Sequence, residues 1–468
     1  MNRRQFLSFI AQAGVLAAYP RFVVASQLPA TDDVVFLTPA DSDYSMHTYL
    51  FNKRFDRHPK IIAVCFTERG VQSAIALARE RSLPIAVRSG GHSFEGFSLN
   101  DDGLSIDLTL MNSFKLLDNG QFVTGPACRL MEMYEYLIPQ GRLIPAGSCG
   151  MVGIAGLTLG GGYGIFSREH GLAIDWLKRI RIIDGLGKMH EVEQGSDLFW
   201  ACRGAGNGNF GVVTELQFDT LKAPSHISRY LFQAGNLTPQ RLSKIAKLWF
   251  SISAQLPNEA FSAFVHNGKK LNILVTSTLS TLTPGMNDLL KQLEQVMDKR
   301  LLDNTLELLP GIRRYYGKLT PLNFKNASAG YYRGYADIES VAEKIFETVS
   351  QGNGLLFQIN TLGGAIRKPG QTDAAGCYPH REYAYLGEIQ SYWENPEQEA
   401  GAMAGVAQVQ KLLAGNGINA HYSNYPDINF DKWQTQYYGA ANYTRLQAIK
   451  KQYDPDNVFR YPQSIKPV

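Results

Sequence analysis

The sequence predicts an α+β protein in two parts, and three observations lead there. Up to about residue 222, short apolar runs alternate with glycine-rich turns. From about Ala223 the texture changes to amphipathic stretches at helical spacing, set between pairs of strands. The length of 468 residues, 44% hydrophobic and 19% charged, suffices for two or three domains with a large core.

In order, IIAVCF at 61–66 reads as a strand, and the helix after it places Val71, Ala74, Ile75 and Ala78 on one face. LPIAVRSG is a second strand ending in a glycine turn. SIDLT at 105–109 and SFKLLDNGQFVTGPAC continue as short strands with turns. MEMYEYLIPQ is a helix. LKRIRIIDGLGKMHEV is a strand, a hairpin and a strand, and GVVTELQFDT is another strand. In the second part, LTPQRLSKIAKLWFSISAQL and TPGMNDLLKQLEQVMDKRLL predict helices, and AFSAFVHNGKKLNILVTSTL predicts two strands. SVAEKIFETVS is a helix; LLFQINTLGG and EYAYLGEIQSYW are strands. These elements make an antiparallel sheet with helices on one face. The tail from His421 is polar and aromatic and ends in a short helix and IKPV.

The first residues, MNRRQFLSFIAQAGVLAAYPRFVVAS, join Arg3-Arg4 to an apolar run and then small residues near Ala25. That pattern reads as a twin-arginine signal peptide over 1–26 and predicts export to the periplasm or beyond. No later segment is long and apolar enough for a stable membrane insertion. The net charge of +4 is small for this length, and no dense basic cluster points to nucleic acid. The five cysteines, Cys65, Cys128, Cys149, Cys202 and Cys377, show no CxxC and no zinc spacing, so no metal site is predicted. Their odd number suggests that one thiol is used chemically. Cys65 and Cys202 sit in apolar, strand-like contexts and read as small buried hydrophobes.

Three glycine clusters carry the chemistry. GAGNGNFGVVTEL contains a literal GxGxxG at Gly206, Gly208 and Gly211, but the β-branched run after it is a strand. A dinucleotide site needs a helix there, so that reading is set aside. GLTLGGGYGIFSREHG carries Gly156, Gly160, Gly161, Gly162 and Gly164, backbone that can lie against a flat or charged ligand. Ser89-Gly90-Gly91-His92-Ser93 can offer several backbone N–H groups to phosphate oxygens. Three such loops in one domain point to a large phosphate-bearing cofactor.

AVRSGGHSFEGFS, PAGSCGMVGIAGLTLGGGYG and DLFWACRGAGNGNFGVVTELQF together resemble the FAD domain of the berberine bridge enzyme family. That family belongs to the vanillyl alcohol oxidase/p-cresol methylhydroxylase superfamily. HYSNYPD and YDPDNVFRYPQSI resemble its closing segment. The resemblance implies a two-part FAD-binding domain of the p-cresol methylhydroxylase type at 27–222 and a substrate domain at 223–420. It also implies a C-terminal segment, 421–468, that returns to the FAD domain. It further implies a flavin joined to His92 and, in many members, to a cysteine at the position of Cys149, although Gly150 replaces the usual proline. A neutral imidazole and a thiolate are the nucleophiles such bonds need. Arg88 and the Ser89–Ser93 loop are expected to hold the pyrophosphate. Val152, Gly153, Gly156, Gly160, Gly162, Tyr163, Gly164, Gly211, Val213 and Asn424 complete the expected cofactor site. Val152 lies where relatives with valine admit oxygen, and Leu157 where many carry histidine.

The resemblance also implies a hydride transfer to flavin from an alcohol, either a sugar or a secondary-metabolite hydroxyl, with O2 reduced to H2O2. A base must take the hydroxyl proton. Tyr163, Tyr422 and Tyr425 match tyrosines of relatives, and a tyrosine must be lowered from about 10 to serve. Glu388 and Gln390 alternate on one strand face. Relatives often carry lysine where Glu388 stands, so the base is Tyr422 or Glu388. A dehydrogenase, an oxidative cyclase and a flavin carrier without catalysis stay open. The expected partners are a small molecule and O2, and the oligomeric state is not legible.

Overall fold

The structure is a computed structural model that describes residues 31–352, 354–367 and 376–468. The signal-peptide reading lies outside the described residues. Three sheets carry the fold. A small mixed sheet has the order Val34–Leu37, Ile61–Cys65, Leu104–Asp107, Ile85–Arg88. The last three strands are parallel, so a crossover must connect them. Helix Glu68–Glu80 provides it, burying Val71, Ala74, Ile75 and Ala78. Thr67 caps this helix by accepting the Gly70 N–H at 3.3 Å. A Cβ at Gly70 would lie 2.0 Å from the Asp33 carbonyl oxygen, so only glycine lets the helix meet the first strand.

An antiparallel five-stranded sheet follows, ordered Phe114–Leu116, Phe122–Thr124, Gly211–Phe218, Leu177–Asp184, Met189–Glu193. The stretch after the GxGxxG is its central strand. Cys202 lies buried in helix Asp197–Ala205, not in a strand: Ser196 accepts the Phe199 N–H and starts a helix whose apolar face carries the thiol.

The third sheet has seven antiparallel strands, ordered Lys299–Glu307, His226–Ala234, Leu271–Ser277, Ala260–His266, Leu355–Thr361, Tyr385–Trp393, Asn323–Tyr332. One face is covered by helices Pro239–Ser253, Pro284–Glu294, Glu339–Gln351 and Glu399–Gly415. Trp249, Phe264, Ile273, Phe346, Phe357 and Ile389 form the core between them. The predicted helix through DKRLL stops at Glu294, and Lys299–Glu307 is instead an edge strand with alternating exposure. It pairs along one side with His226–Ala234, where period-two amphipathicity is what an edge needs.

The C-terminal residues pack on the first half. Phe459 bridges Ile85 in parallel, and Phe430, Trp433 and Ile465 share a core with Phe199 and Phe210. The Lys325 ammonium, on the large sheet, is buried between Glu95 and Asp427, lying 2.9 Å from Asp427. Arg54 sits 2.9 Å from Glu95 and completes the charge balance. Breaking a buried pair by deleting one partner typically costs about 3–5 kcal/mol. Lys325→Met is therefore expected to lower the thermal midpoint by several degrees in calorimetry. An unchanged midpoint would mean that the ammonium does no more than an alkyl chain there.

Candidate active site

A cavity of about 1200 Å³ runs between the loops of the first half and the uncovered face of the seven-stranded sheet. Strand Ile85–Arg88 delivers the loop Ser89–Ser93 into it, and Ser89, Gly90, Gly91, His92 and Ser93 all line it. The His92 ring stacks on Phe51 at 3.8 Å. Burial, with Arg129 nearby, lowers its pKa to about 3, so the imidazole is neutral at physiological pH. Gly90 and Gly153 are in mutual contact: a Cβ on Gly90 would stand 2.4 Å from the Gly153 nitrogen. Gly156 and Gly208 also line the cavity, and a Cβ on either would meet nothing within 4 Å, so the wall there is bare backbone. That surface, with Val152, Gly164, Gly211 and Val213 beside it, suits a flat ring system and a phosphate chain. Lys318 is the one lysine or arginine among the described lining residues, and it is exposed. Phosphates would be held there by backbone N–H groups and hydroxyls, which is the donor set of an anion nest.

Cys149 is open to the cavity, while the four other cysteines are buried. Desolvation, then Glu388, pushes its pKa up to about 11. The enclosing wall and the nearby Glu388 thus favour the thiol over the thiolate that bond formation needs.

The opposite wall is polar and continuous. Asn326 Nδ2 donates to the Tyr392 hydroxyl at 2.9 Å, which donates to Gln390 Oε1 at 2.8 Å. Gln390 Nε2 donates to Gln358 at 3.3 Å, and Gln358 to Asn360 at 2.8 Å. Asn360 Nδ2 donates to the Tyr163 hydroxyl at 3.1 Å, and Tyr163 and Tyr425 share a hydrogen bond of 2.6 Å. Gln390 and Tyr425 stand near enough to Glu388 to favour its ionised form. The Tyr163 oxygen accepts from Asn360 and shares one proton position with Tyr425, so amides and tyrosines form one connected network beside the carboxylate. Burial raises Glu388 to about 8 against those two donors. Desolvation and Glu388 hold Tyr163 and Tyr425 well above the ordinary tyrosine value.

The Tyr422 hydroxyl accepts from the Gly162 N–H and from Asn424 Nδ2, both at 2.9 Å, yet burial lifts its pKa to about 12. Tyr163, Tyr422 and Tyr425 are all raised, the opposite of what a tyrosine base requires. Asn424 also donates to the Leu157 carbonyl at 2.9 Å and accepts from Asn207 at 2.8 Å, which ties three lining segments together.

Three expected cofactor contacts lie elsewhere. Arg88 does not line the cavity. Its guanidinium donates to the His47 carbonyl at 2.6 Å and pairs with Asp107 at 3.6 Å, drawn inward by a buried carboxylate. Gly160 and Gly162 do not line it either. A Cβ on Gly160 would overlap Asn424, and one on Gly162 would press on Ala173, so these glycines make room for side chains. Sequence reasoning missed Gln358, Asn360, Asn326 and Tyr392. The signal for the first two was present: polar residues two apart in the apolar strand LLFQINT share one face.

A bare-backbone cradle joined to a wall of tyrosines, amides and one buried carboxylate defines a flavin-dependent oxidoreductase site. Residues 59–193 match the model of an FAD binding domain, and residues 421–466 match that of "Berberine and berberine like" proteins. The chain is 30% identical to the uncharacterized FAD-linked oxidoreductase YvdP of Bacillus subtilis (strain 168), covering 93% of this chain and 98% of that one. It is 29% identical to a chitooligosaccharide oxidase of Gibberella zeae over 89% of each chain. The structure of Physcomitrella patens BBE-like 1 superposes with a TM-score of 0.83 at 25% identity, over 92% of this chain and 96% of that one. The protein belongs to the berberine bridge enzyme-like family of FAD-linked oxidoreductases.

The cradle is tested at its tightest point. Gly153→Ala would set a Cβ 2.6 Å from Ser89 Oγ and 2.7 Å from the Gly90 nitrogen. Its flavin-to-protein absorbance ratio is expected to fall severalfold. Gly285→Ala, with nothing within 4 Å, is expected to keep the wild-type ratio.

Proposed function

We propose that the protein is an FAD-linked oxidase that removes a hydride from an alcohol carbon and passes the electrons to O2, giving H2O2. Flavin, when bound, supplies the hydride acceptor and, once reduced, the electron donor to O2. The observation that carries the reading is the buried Glu388 carboxyl on the cavity wall, set beside a connected network of tyrosine hydroxyls and amides.

An alcohol that loses hydride from carbon must also lose its hydroxyl proton, and the best base has a pKa near the working pH. Glu388 at about 8 meets that condition; Tyr422 at about 12 holds its proton. Glu388 therefore takes the proton, and Tyr425 and Gln390 orient its carboxylate. Tyr163 and Tyr425 present hydroxyls to the substrate oxygen. Tyr422 positions Asn424 and the Gly162 backbone. His92 and Cys149 are the tethers of the cofactor in this proposal. The neutral imidazole has a free lone pair to form its bond, whereas the Cys149 thiol must first give up a proton. Val152, expected from the resemblance to admit oxygen, lines the cavity, and relatives named as oxidases support O2 as the acceptor.

The base assignment has a definite pH signature. Below about 8 the Glu388 carboxyl is protonated and cannot accept a proton, so the rate of flavin reduction rises with pH up to that point and then levels. Glu388→Gln is expected to lower anaerobic flavin reduction by roughly 10²–10⁴-fold and to abolish that limb. Tyr422→Phe is expected to lower it by about tenfold or less, with the limb kept. The reverse ranking would move the base to Tyr422. The tethers are tested separately. Yellow colour should stay with acid-precipitated protein, should weaken in His92→Ala, and should show a shifted spectrum in Cys149→Ala. A Cys149→Ala spectrum identical to wild type would remove the second bond.

A further inference from the structure

The face of the seven-stranded sheet that meets the cavity is divided down its length. Strands Leu355–Thr361 and Tyr385–Trp393 present Gln358, Asn360, Glu388 and Gln390. The next strand, Ala260–His266, presents Phe261, Ala263 and Val265, and Leu274 follows on the strand after that. Alternation makes this unambiguous. Ala260 and Phe264 point to the helix-covered core, and Ser262 is turned there too, accepting from Trp249 at 2.9 Å. Every position of this strand that lines the cavity is apolar. The register places the frontier between two paired strands, with Ala263 opposite Asn360 and Val265 opposite Gln358. Gln358 is in turn opposite Glu388. At the usual spacing of sheet strands, Val265 lies about 10 Å across from the base, roughly the width of two fused rings.

The polar neighbours on the apolar side do not soften it. Asn272 is bonded to Gln233 at 2.9 Å and Thr276 to Tyr315 at 2.6 Å, and neither lines the cavity. On the polar side the amides and tyrosines are bonded to one another in a single chain. Unused hydrogen-bonding capacity, such as the unpartnered Asn326 Oδ1, lies on this polar side near Gln390 and Glu388, and Phe261, Ala263, Val265 and Leu274 add none. A sugar chain laid on Phe261, Ala263, Val265 and Leu274 would bury hydroxyls without partners, which lowers affinity by about tenfold or more for each. Apolar carbon laid there gains instead. Lys318, Glu394, Asn395 and Gln398 are exposed lining residues, so the rim is polar.

We infer that the substrate is an amphipathic alcohol: one hydroxyl-bearing carbon set at Glu388, and a fused-ring or otherwise extended apolar body set on Phe261, Ala263, Val265 and Leu274. Free oligosaccharides are excluded as good substrates. This inference rests on the alcohol-oxidase reading of the same site.

The test uses the flavin-loaded enzyme in anaerobic single turnovers, with loss of flavin absorbance as the signal. Benzyl alcohol, 2-naphthylmethanol and a tricyclic aryl methanol form one series, and cellobiose and chitobiose another. The ratio of reduction rate to substrate Kd should rise at least about tenfold per added ring, and the disaccharides should fall at least about a hundredfold below the tricycle. Val265→Thr and Ala263→Asn should each lower the value for 2-naphthylmethanol by about tenfold at unchanged flavin content. Independently of turnover, 2-naphthylmethyl methyl ether, which lacks the reacting hydroxyl, should bind in calorimetric titration with a negative heat-capacity change. Should the disaccharides bleach the flavin faster than every ring-bearing alcohol, the amphipathic substrate is overturned and the alcohol-oxidase reading stands. Should no alcohol of either series bleach it while dithionite does, both fall.

Discussion

One ammonium group, that of Lys325, holds two carboxylates from distant parts of the chain, and the site depends on it. Glu95 belongs to the loop that carries His92, and Asp427 follows the segment that carries Tyr422 and Tyr425. Lys325 itself stands next to Asn326, the first donor of the hydrogen-bond chain. Three segments that line the cavity therefore meet at one buried charge. Such a group is expensive to bury and costly to leave unpaired, so it specifies one arrangement of its neighbours.

The seven-stranded sheet does two jobs with one backbone. Residues at alternate positions build a conventional core against four helices, and the intervening ones build the cavity wall. This pleat also sets the electrostatics. Glu388 is buried on a face where tyrosines and amides are its neighbours and no cation is among its contacts, so desolvation outweighs the donors and the carboxyl sits near neutrality. The same desolvation drives the tyrosines upward and the imidazole of His92 downward. One physical effect thus sets a carboxyl near neutrality, tyrosines that keep their protons and an uncharged imidazole in the same cavity.

Much of this was legible from residues alone, and the failures have reasons. Glycine clusters, strand alternation and the strand after GxGxxG located the cradle, because backbone that must approach a ligand or another loop has few residue choices. Gly160 and Gly162 were misread, since a glycine needed to admit Asn424 or Ala173 looks the same as one needed to admit a ligand. Arg88 was misread because its partner, Asp107, is brought beside it only by strand pairing. Strands Asn323–Tyr332 and His226–Ala234 are not legible in the sequence because cavity-lining Asn326 and buried Ser328, and Arg229 and Gln233, interrupt the apolar signal. The tyrosine pKa expectation failed on burial, which no local pattern reveals.

The contact of Phe459 with Ile85 ties the last turn of the chain to a strand made more than three hundred and fifty residues earlier. Lys450 seals the same junction, bonded to the carbonyls of Asn209 and Phe459 at 2.6 and 2.7 Å. A ribosome delivering this polypeptide therefore cannot complete the amino-terminal half until the closing residues have emerged. The walls of the cavity take their final form together, once the stretch around Lys450 and Phe459 has been made, and not one after the other.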